Sequence, residues 1–171
     1  MNNITEYIKA AKALFDSYDE NVWDKAYFDE HSGGYAVFHK DHKFDPTIGI
    51  FDIPRGDYEK IASEILVKYG MCVELDSERQ HSDEEKMKDG FLNGIPFEIK
   101  GMEGNGKNNI INNLKEANKK NVELIVLYYH DKDLFSERQI HESYKSYLRN
   151  SKSKRIKKVY YIVDRKTHTL K

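Results

Sequence analysis

Three residues in the segment KDGFLNGIPFEIKG have the types and spacing needed for metal-assisted chemistry. Asp89 is followed after eight residues by Glu98, and Lys100 comes two positions later. Between the two carboxylates lies Asn93-Gly94, the dipeptide that most strongly predicts a two-residue hairpin turn, because the turn it favours needs positive φ at both central positions. With that turn, Asp89 must face Glu98 across the hairpin.

The predicted hairpin has one charged face and one apolar face. Asp89, Glu98 and Lys100 share the charged face, and we expect the apolar face to contact the core. The apolar face consists of Leu92, Ile95, Phe97 and Ile99. Asp89 and Glu98 fall at a non-hydrogen-bonded pair, where the two Cα atoms are about 4.5 Å apart. Like charges directly opposite one another destabilise a sheet unless a cation lies between them.

A hard divalent metal such as Mg²⁺ or Mn²⁺ would supply that cation, since it prefers carboxylate oxygens and completes its shell with water. Lys100 would then lie beside the attacking water, where it could orient or deprotonate the nucleophile. Such a set suffices to hydrolyse a phosphodiester. In the alternative interpretation Asp89 only begins a strand, and Glu98 and Lys100 neutralise one another in solvent for well under about 1 kcal/mol.

The elements around the hairpin predict an α/β protein with a central mixed sheet covered by helices. A helix is expected from Asp57 as N-cap to Gly70, which stops it. From there the pattern predicts the strand MCVEL, hairpin strands at 89–92 and 95–100, a helix at 108–119, the buried and possibly parallel strand VELIVLYYH, the helix LFSERQIHESYKSYLRN and a last strand VYYIVD.

Residues 1–32 are predicted to form an N-terminal helical extension of a domain at 33–171. The extension would contain a helix over 3–17 and a second short helix in NVWDKAYFDE. HKDHKFDPTIGIFDIPRGD is rich in turn residues and predicts an irregular connection, and the polar segment DSERQHSDEEKMK predicts a mobile loop.

The pattern of Asp89, eight residues and then Glu98-Ile99-Lys100 resembles the D…ExK signature of the PD-(D/E)xK nuclease superfamily. DGFLNGIPFEIKG is similar, more narrowly, to the C-terminal nuclease domains of contact-dependent growth-inhibition toxins and related polymorphic bacterial toxins. The resemblance covers roughly residues 57 to 164, although Lys88 stands where the signature has proline. It implies a restriction-endonuclease-like fold and a Mg²⁺ or Mn²⁺ ion held by Asp89, Glu98 and Ile99.

The superfamily often adds an acidic residue on the helix before the sheet, and two residues qualify here. At 100° per residue, Glu59 flanks the apolar stripe of the predicted helix by about 80°, whereas Glu64 points about 140° away. We therefore expect Glu59 to act as a third metal ligand or to position water, and Glu64 to face solvent.

By resemblance, the activity would be hydrolysis of nucleic acid, with RNA, such as tRNA, slightly favoured over DNA. The protein would be a bacterial toxin or effector that acts in the cytoplasm, with a cognate immunity protein as a possible partner. Residues from 138 onward carry a net charge of +9 and residues 1–30 a net charge of −4, so one end could attract a polyanion. The expected phosphate-backbone contacts are Lys107, Lys145, Arg149, Lys152, Lys154 and Arg155. A solvated helix face with a lysine-rich loop would explain the same charges.

The rest of the sequence excludes several classes of protein. Cys72 is the only cysteine, so neither an intramolecular disulfide nor a cysteine-built zinc site can form, and a reducing compartment is expected. No apolar run approaches the roughly 18 residues of a membrane span, and no export signal is visible. We expect a soluble globular protein with no membrane partner.

Two other functions fit the sequence. One is a non-catalytic module on the same fold that binds nucleic acid or protein. The other is a metal-independent ribonuclease that uses lysine with His39, His42 or His81. His39 and His42 have the spacing of a partial zinc site, but without a third ligand they are expected to be surface histidines. Tyr144 and Tyr147 are expected to be packing residues.

Overall fold

The computed structural model of the protein describes residues 2–77 and 88–170. Its helices are α1 (Asn2–Ser17), α2 (Gly56–Lys68), α3 (Lys107–Lys119) and α4 (Glu137–Asn150), with a 3₁₀ turn at Lys132–Leu134. Its strands are β1 (Trp23–Phe28), β2 (Tyr35–His39), β3 (Cys72–Leu75), β4 (Gly90–Leu92), β5 (Ile95–Gly101), β6 (Leu124–Tyr128), β7 (Lys158–Val163) and β8 (Lys166–Thr169). None of the helices in these ranges has the length and apolar character needed to span a bilayer.

The strands form one mixed sheet in which every strand lies beside its neighbours in the chain, from β1 to β8. The pairs β2–β3, β5–β6 and β6–β7 are parallel, and the others are antiparallel. All five residues of β6 are buried, as expected for a parallel strand with both faces covered. The prediction of an α/β protein with a mixed central sheet is therefore confirmed.

Helices cover both faces of the sheet. On one face, α2 packs its buried residues, such as Ile65 and Leu66, against Phe97 and Ile99 of β5. On the other face, α3 and α4 pack against β6 and β7 around a second core that contains Leu114. A smaller cluster joins α1 to β2. Because both faces are covered, the charged face of β5 is enclosed as well as its apolar face.

The predicted hairpin is present and its three inner pairs have the predicted register, but the predicted pair of Asp89 with Glu98 is not formed, because the ladder ends at Gly90. Asn93 and Gly94 have φ of 50° and 76°, and the paired residues are Gly90↔Phe97, Phe91↔Pro96 and Leu92↔Ile95. The turn is also fastened to β3, because the side chain of Asn93 accepts a 2.7 Å hydrogen bond from the amide of Cys72, and the amide of Asn93 donates to the Cys72 carbonyl at 2.8 Å.

The prediction of a second N-terminal helix in NVWDKAYFDE is wrong, because this segment contains the edge strand β1. The pairing of β1 with β2 shifts between Lys25 and Tyr27, which marks a β-bulge. A bulge breaks the two-residue alternation of a strand, so the spacing of Trp23, Ala26 and Tyr27 imitates the period of a helix. The helix predicted over 3–17 is confirmed as α1.

The C-terminal strand β8 was not predicted. It pairs with β7 through a two-residue turn in which Asp164 and Arg165 both have positive φ, at 49° and 58°. Such a turn is normally marked by Gly or Asn, and Asp-Arg gives no such signal. Four polar or weakly apolar residues then complete an exposed edge strand.

Helix α2 starts slightly earlier than predicted, because Arg55 rather than Asp57 is its N-cap, whereas its stop at Gly70, with φ of 77°, is confirmed. The irregular connection before it is also confirmed for residues 40–55. Arg55 holds this connection to the segment after β5 through hydrogen bonds of 2.7 to 3.1 Å to the carboxylate of Glu103. Most of the predicted loop DSERQHSDEEKMK lies outside the described residues.

Gly90 allows β3 and β4 to approach closely, and this contact fixes the position of the preceding residue, Asp89. A Cβ on Gly90 would overlap the carbonyl oxygen of Glu74, a backbone atom that cannot rotate away. We expect Gly90→Ala to lower the free energy of unfolding by about 2 kcal/mol or more. Gly106→Ala is the matched control, since its Cβ meets no atom, and as a replacement at the N-cap of α3 it should lower stability by less than about 1 kcal/mol. Equal denaturant midpoints for the two variants would contradict this packing.

Candidate active site

The candidate site lies where β4 stops short of the full length of β5. The ladder between these strands ends at Gly90↔Phe97, although β5 continues to Gly101. In this register the next amide of β5 to face β4 is that of Ile99, and it would ordinarily donate to the carbonyl of residue 88. Instead, the Asp89 carboxylate accepts this hydrogen bond at 2.7 Å. Asp89 therefore lies just before β4, in an opening between β4 and β5 that is here called the notch, beside residues 98–101 of β5.

Glu98 is the most enclosed charged residue of the site. It is fully buried on the face of β5 that α3 and α4 cover. The ammonium groups of Lys100 and Lys120 both lie 2.5 Å from its Oε1. Its other oxygen, Oε2, is buried and has no hydrogen-bond partner among the described residues. An unpaired buried oxygen of this kind costs about 1–3 kcal/mol, so the carboxylate is only half satisfied by the protein.

Glu59, on α2 at the opposite face of the sheet, is directed inward to the buried His42, and its charge acts on Asp89. Its Oε2 lies 2.8 Å from Nε2 of His42, whose Nδ1 lies 2.9 Å from the carbonyl oxygen of Asp76. Glu64, by contrast, forms ion pairs with Lys68 and Arg165 near the protein surface, as predicted.

His42 is a buried member of the site rather than a surface residue. Its side chain is 4 % exposed, and only an imidazolium can donate to the acceptors at both of its nitrogens. Burial alone would lower the pKa of His42, but the hydrogen bond and charge of Glu59 and the carbonyl of Asp76 raise it above its ordinary value. The imidazolium therefore orients Glu59.

The carboxylates of Asp89, Glu98 and Glu59 repel one another, and this repulsion affects the pKa of Asp89. Burial raises that pKa well above its ordinary value, and the charges of Glu98 and Glu59 add to the effect. The charge of Lys120 and the amide of Ile99 act in the opposite direction.

Lys100 responds to the same charges in the opposite sense. Burial would lower its pKa, but the charge and hydrogen bond of Glu98, followed by the charges of Asp89 and Glu59, raise it above the ordinary value. Lys100 is thus an ammonium ion at neutral pH. It can donate hydrogen bonds and stabilise negative charge, but it cannot accept a proton.

The donor set at the notch fits a hard divalent cation. Glu98 has a buried oxygen, Oε2, without a hydrogen-bond partner among the described residues, its charge acts on Asp89, and the neighbouring amide of Ile99 donates to the Asp89 carboxylate. Within residues 2–77 and 88–170, no group of three or more His, Cys, Asp or Glu is arranged to hold a metal. Mg²⁺ does not need such a group, because it is commonly bound by one or two carboxylates together with water and substrate phosphate.

The predictions for the histidines and for the tyrosine pair of α4 have different outcomes. His39 is buried and its ring contacts that of Trp23, so the expectation of surface histidines is wrong for both His39 and His42. His81 lies outside the described residues. Tyr147 is buried and stacks on Tyr144, which confirms that this pair is used for packing.

The predicted nucleic-acid contacts are exposed, and most of them cluster where α4 ends. The loop after α4 is fixed through its backbone, since Asn118 accepts a hydrogen bond from the amide of Arg155 and Tyr147 accepts one from the amide of Ile156. Its side chains remain in solvent. In the described ranges, no carboxylate pairs with Lys145, Arg149, Lys152, Lys154 or Arg155. Lys107 lies apart from this cluster, at the start of α3, where its charge acts on Glu142.

A polar groove of about 490 Å³ lies between the C-terminal halves of α3 and α4. Its lining residues are Asn112, Lys115, Glu116, Asn118, Lys119, Asn150, Ser151, Lys152 and Ser153. Lysines, amides and hydroxyls of this kind can bind phosphate and sugar oxygens. Lys119 lines the groove and the next residue, Lys120, reaches Glu98, so the groove and the notch lie on either side of the end of α3.

Lys120 was not predicted as a site residue, and His42 was predicted only for the metal-independent ribonuclease. The signal for Lys120 lies in topology: β5 and β6 are parallel neighbours, so α3 must cross the face that carries Glu98 before the chain enters β6. His42 follows β2, and β2 is parallel to β3, so its approach to Asp76 depends on pairings that local sequence patterns do not encode.

No protein-family model, curated protein or solved structure matches the chain.

The raised pKa of Asp89 predicts a pH-dependent effect on stability. The folded state binds the Asp89 proton more tightly than the unfolded state, so its contribution to stability is present at low pH and is lost as pH rises through the raised pKa. Asp89→Asn stays neutral and can still accept from Ile99. Relative to wild type, we expect its stability gain to be absent near the ordinary carboxyl pKa and to reach about 1 kcal/mol, or about 3 °C in Tm, in mildly alkaline buffer.

Thermal denaturation across this pH range is the measurement, and Asp24→Asn, which changes an exposed carboxyl on β1, is the control. A gain for Asp89→Asn that does not vary with pH would contradict the assigned repulsion.

Proposed function

We propose that the protein is a nuclease that hydrolyses phosphodiester bonds with the help of Mg²⁺ or Mn²⁺. The observation that carries the proposal is the group formed by Asp89, Glu98 and Lys100 at the notch, where one buried carboxylate oxygen has no partner within residues 2–77 and 88–170. Buried charges that destabilise the fold are retained mainly where they serve function. The succession α2–β3–β4–β5–α3–β6 also agrees with the core of the PD-(D/E)xK superfamily, which the sequence resembles.

In this reaction a water oxygen forms a bond to phosphorus, the P–O ester bond breaks, and the products are a phosphomonoester and an alcohol. Asp89 and Glu98, with the backbone of Ile99, would hold the divalent ion, which lowers the pKa of water and draws charge from the phosphoryl oxygens. Lys100, as an ammonium ion, orients the attacking water and stabilises the negative charge that develops on phosphate. Glu59, oriented by His42, is placed to accept a hydrogen bond from that water.

The groove between α3 and α4 is proposed to hold the phosphate backbone beside the cleavage site. Its three lysines and the exposed basic residues after α4 supply the charge that a polyanion requires. RNA, including tRNA, is favoured slightly over DNA by analogy with the toxins that the sequence resembles. The same analogy suggests a role as a bacterial toxin or effector that acts in the cytoplasm and has a cognate immunity protein.

Replacement of the proposed catalytic groups should abolish cleavage without unfolding the protein. We expect Asp89→Asn and Lys100→Ala each to reduce the cleavage rate by about 100-fold or more, because each loses charge that acts on the transition state. Purified variants would be tested against tRNA, plasmid DNA and single-stranded DNA with Mg²⁺ or Mn²⁺. Glu64→Gln, which changes a surface carboxylate of α2, should cleave as wild type does.

Three results would contradict this assignment. If both variants cleave all substrates at the wild-type rate, the group at the notch is not catalytic. If neither the wild type nor any variant cleaves a substrate, a non-catalytic binding module is favoured. Activity that survives excess chelator would favour a metal-independent ribonuclease, for which buried His42 beside Glu59 is the best-placed histidine in the described part of the chain.

The groove predicts a salt-dependent loss of binding on charge reversal. In the Asp89→Asn background, we expect Lys115→Glu combined with Lys152→Glu to weaken RNA binding by about tenfold or more and to reduce the slope of log K against log salt. Fluorescence anisotropy of labelled RNA at several salt concentrations measures both. Lys9→Glu combined with Lys132→Glu, two exposed positions outside the groove, is the control for net charge. An unchanged slope would show that the groove does not contact phosphate.

A further inference from the structure

Lys120 occupies an unusual position for an ion-paired lysine. It is the C-cap of α3, and its side chain is 24 % exposed while its ammonium group contacts the fully buried Glu98. The oxygen that it contacts, Oε1, is already bound by Lys100, and no described residue bonds to Oε2. Geometry that served pairing alone would place one ammonium on each oxygen. Two ammonium groups on one oxygen leave the other available.

A second ammonium also exceeds what Glu98 requires, because Lys100 alone neutralises that carboxylate. Lys120 is therefore a second counter-ion of a carboxylate that would hold a divalent cation. A metal ion and an ammonium group repel one another strongly at such short range in a partly buried site. They compete for the charge of the same carboxylate.

Lys120 can leave this position without disturbing the fold. A lysine carries a compact charge on a flexible four-carbon stem, and this one begins at the end of a helix, where its side chain reaches solvent. Asn121 follows with φ of 58°, so the helix ends there and no further helical turn restricts the side chain of Lys120. The adjacent Lys119 lines the groove, so an ammonium released from Glu98 would remain beside a phosphate bound across the end of α3.

We propose that Lys120 is a second functional lysine that exchanges between two partners: it neutralises Glu98 in the resting protein, and it contacts the substrate phosphate once a divalent cation has bound that carboxylate. The inference rests on the proposed nuclease function and adds to it a residue outside the D…ExK pattern. Its role on phosphate is to stabilise negative charge on a non-bridging oxygen, with no proton transferred. Its role on Glu98 makes it a competitor of the metal.

The competition determines the sign of an affinity measurement. Titration of Mn²⁺ alone by calorimetry should show that Lys120→Met binds the ion at least about threefold more tightly than wild type, because a competing charge has been removed. A lysine that only holds Glu98 in place would give the opposite result, since its loss would loosen the ligand and weaken binding. Lys68→Met is the matched control, because Lys68 lies in the last turn of α2 and pairs with Glu64 at the surface.

Cleavage under single-turnover conditions with saturating Mn²⁺ tests the second role. We expect Lys120→Met to reduce the rate by about tenfold or more, with part of the loss restored in Lys120→Arg. Thermal denaturation identifies any variant that does not fold, and Lys120→Gln, which keeps a hydrogen-bond donor, then replaces Lys120→Met in both measurements.

Unchanged or weaker Mn²⁺ binding by the folded variant would overturn the counter-ion role, as would the absence of Mn²⁺ binding by wild type. A wild-type cleavage rate in Lys120→Met would overturn the phosphate role. If wild type cleaves no nucleic acid, the proposed function fails and the phosphate role with it. Tighter Mn²⁺ binding by Lys120→Met would still support the counter-ion role in that case, so the two failures are distinguishable.

Discussion

The structure depends on a carboxylate that is fully enclosed in the middle of the sheet. Glu98 lies on β5 beside Ile125 of β6, on a face covered by two helices, where an ionised group is stable only with opposite charge close to it. The lysine two residues along the strand and the lysine at the end of α3 meet this requirement. The connection from β5 through α3 to β6 therefore completes the core and also delivers a charge to it.

Much of this arrangement was predictable because it rests on local patterns. Asn93-Gly94 fixed the hairpin register, the apolar stripe of α2 identified Glu59, and the apolar run in β6 indicated a buried parallel strand. The features that were not predicted depend on long-range or atypical geometry. A bulge disguised β1 as a helix, a turn without glycine concealed β8, and the approach of Lys120 and His42 results from strand pairings between distant segments.

The site brings together charged groups from the two faces of the sheet. Glu59 and His42 approach the notch from the α2 side, whereas Glu98, Lys100 and Lys120 lie on the side of α3 and α4. Asp89 lies at the notch, where its charge interacts with groups on both sides of the sheet. This position explains why one short carboxylate side chain is affected by both Glu59 and Glu98, and why β4 must be only three residues long. A longer β4 would pair with Ile99 and close the notch.

The double attachment of the Asn93 turn to Cys72 has a consequence for how such proteins are recognised. The turn is held to β3 and cannot slip by one residue without moving Glu98 to the opposite face of the sheet. The eight residues between the two carboxylates are therefore a product of the turn length, not of the chemistry. A chain with one or two more residues confined to this turn would keep both carboxylates opposite one another, at a spacing of nine or ten. Searches for such sites should accordingly allow the spacing to vary.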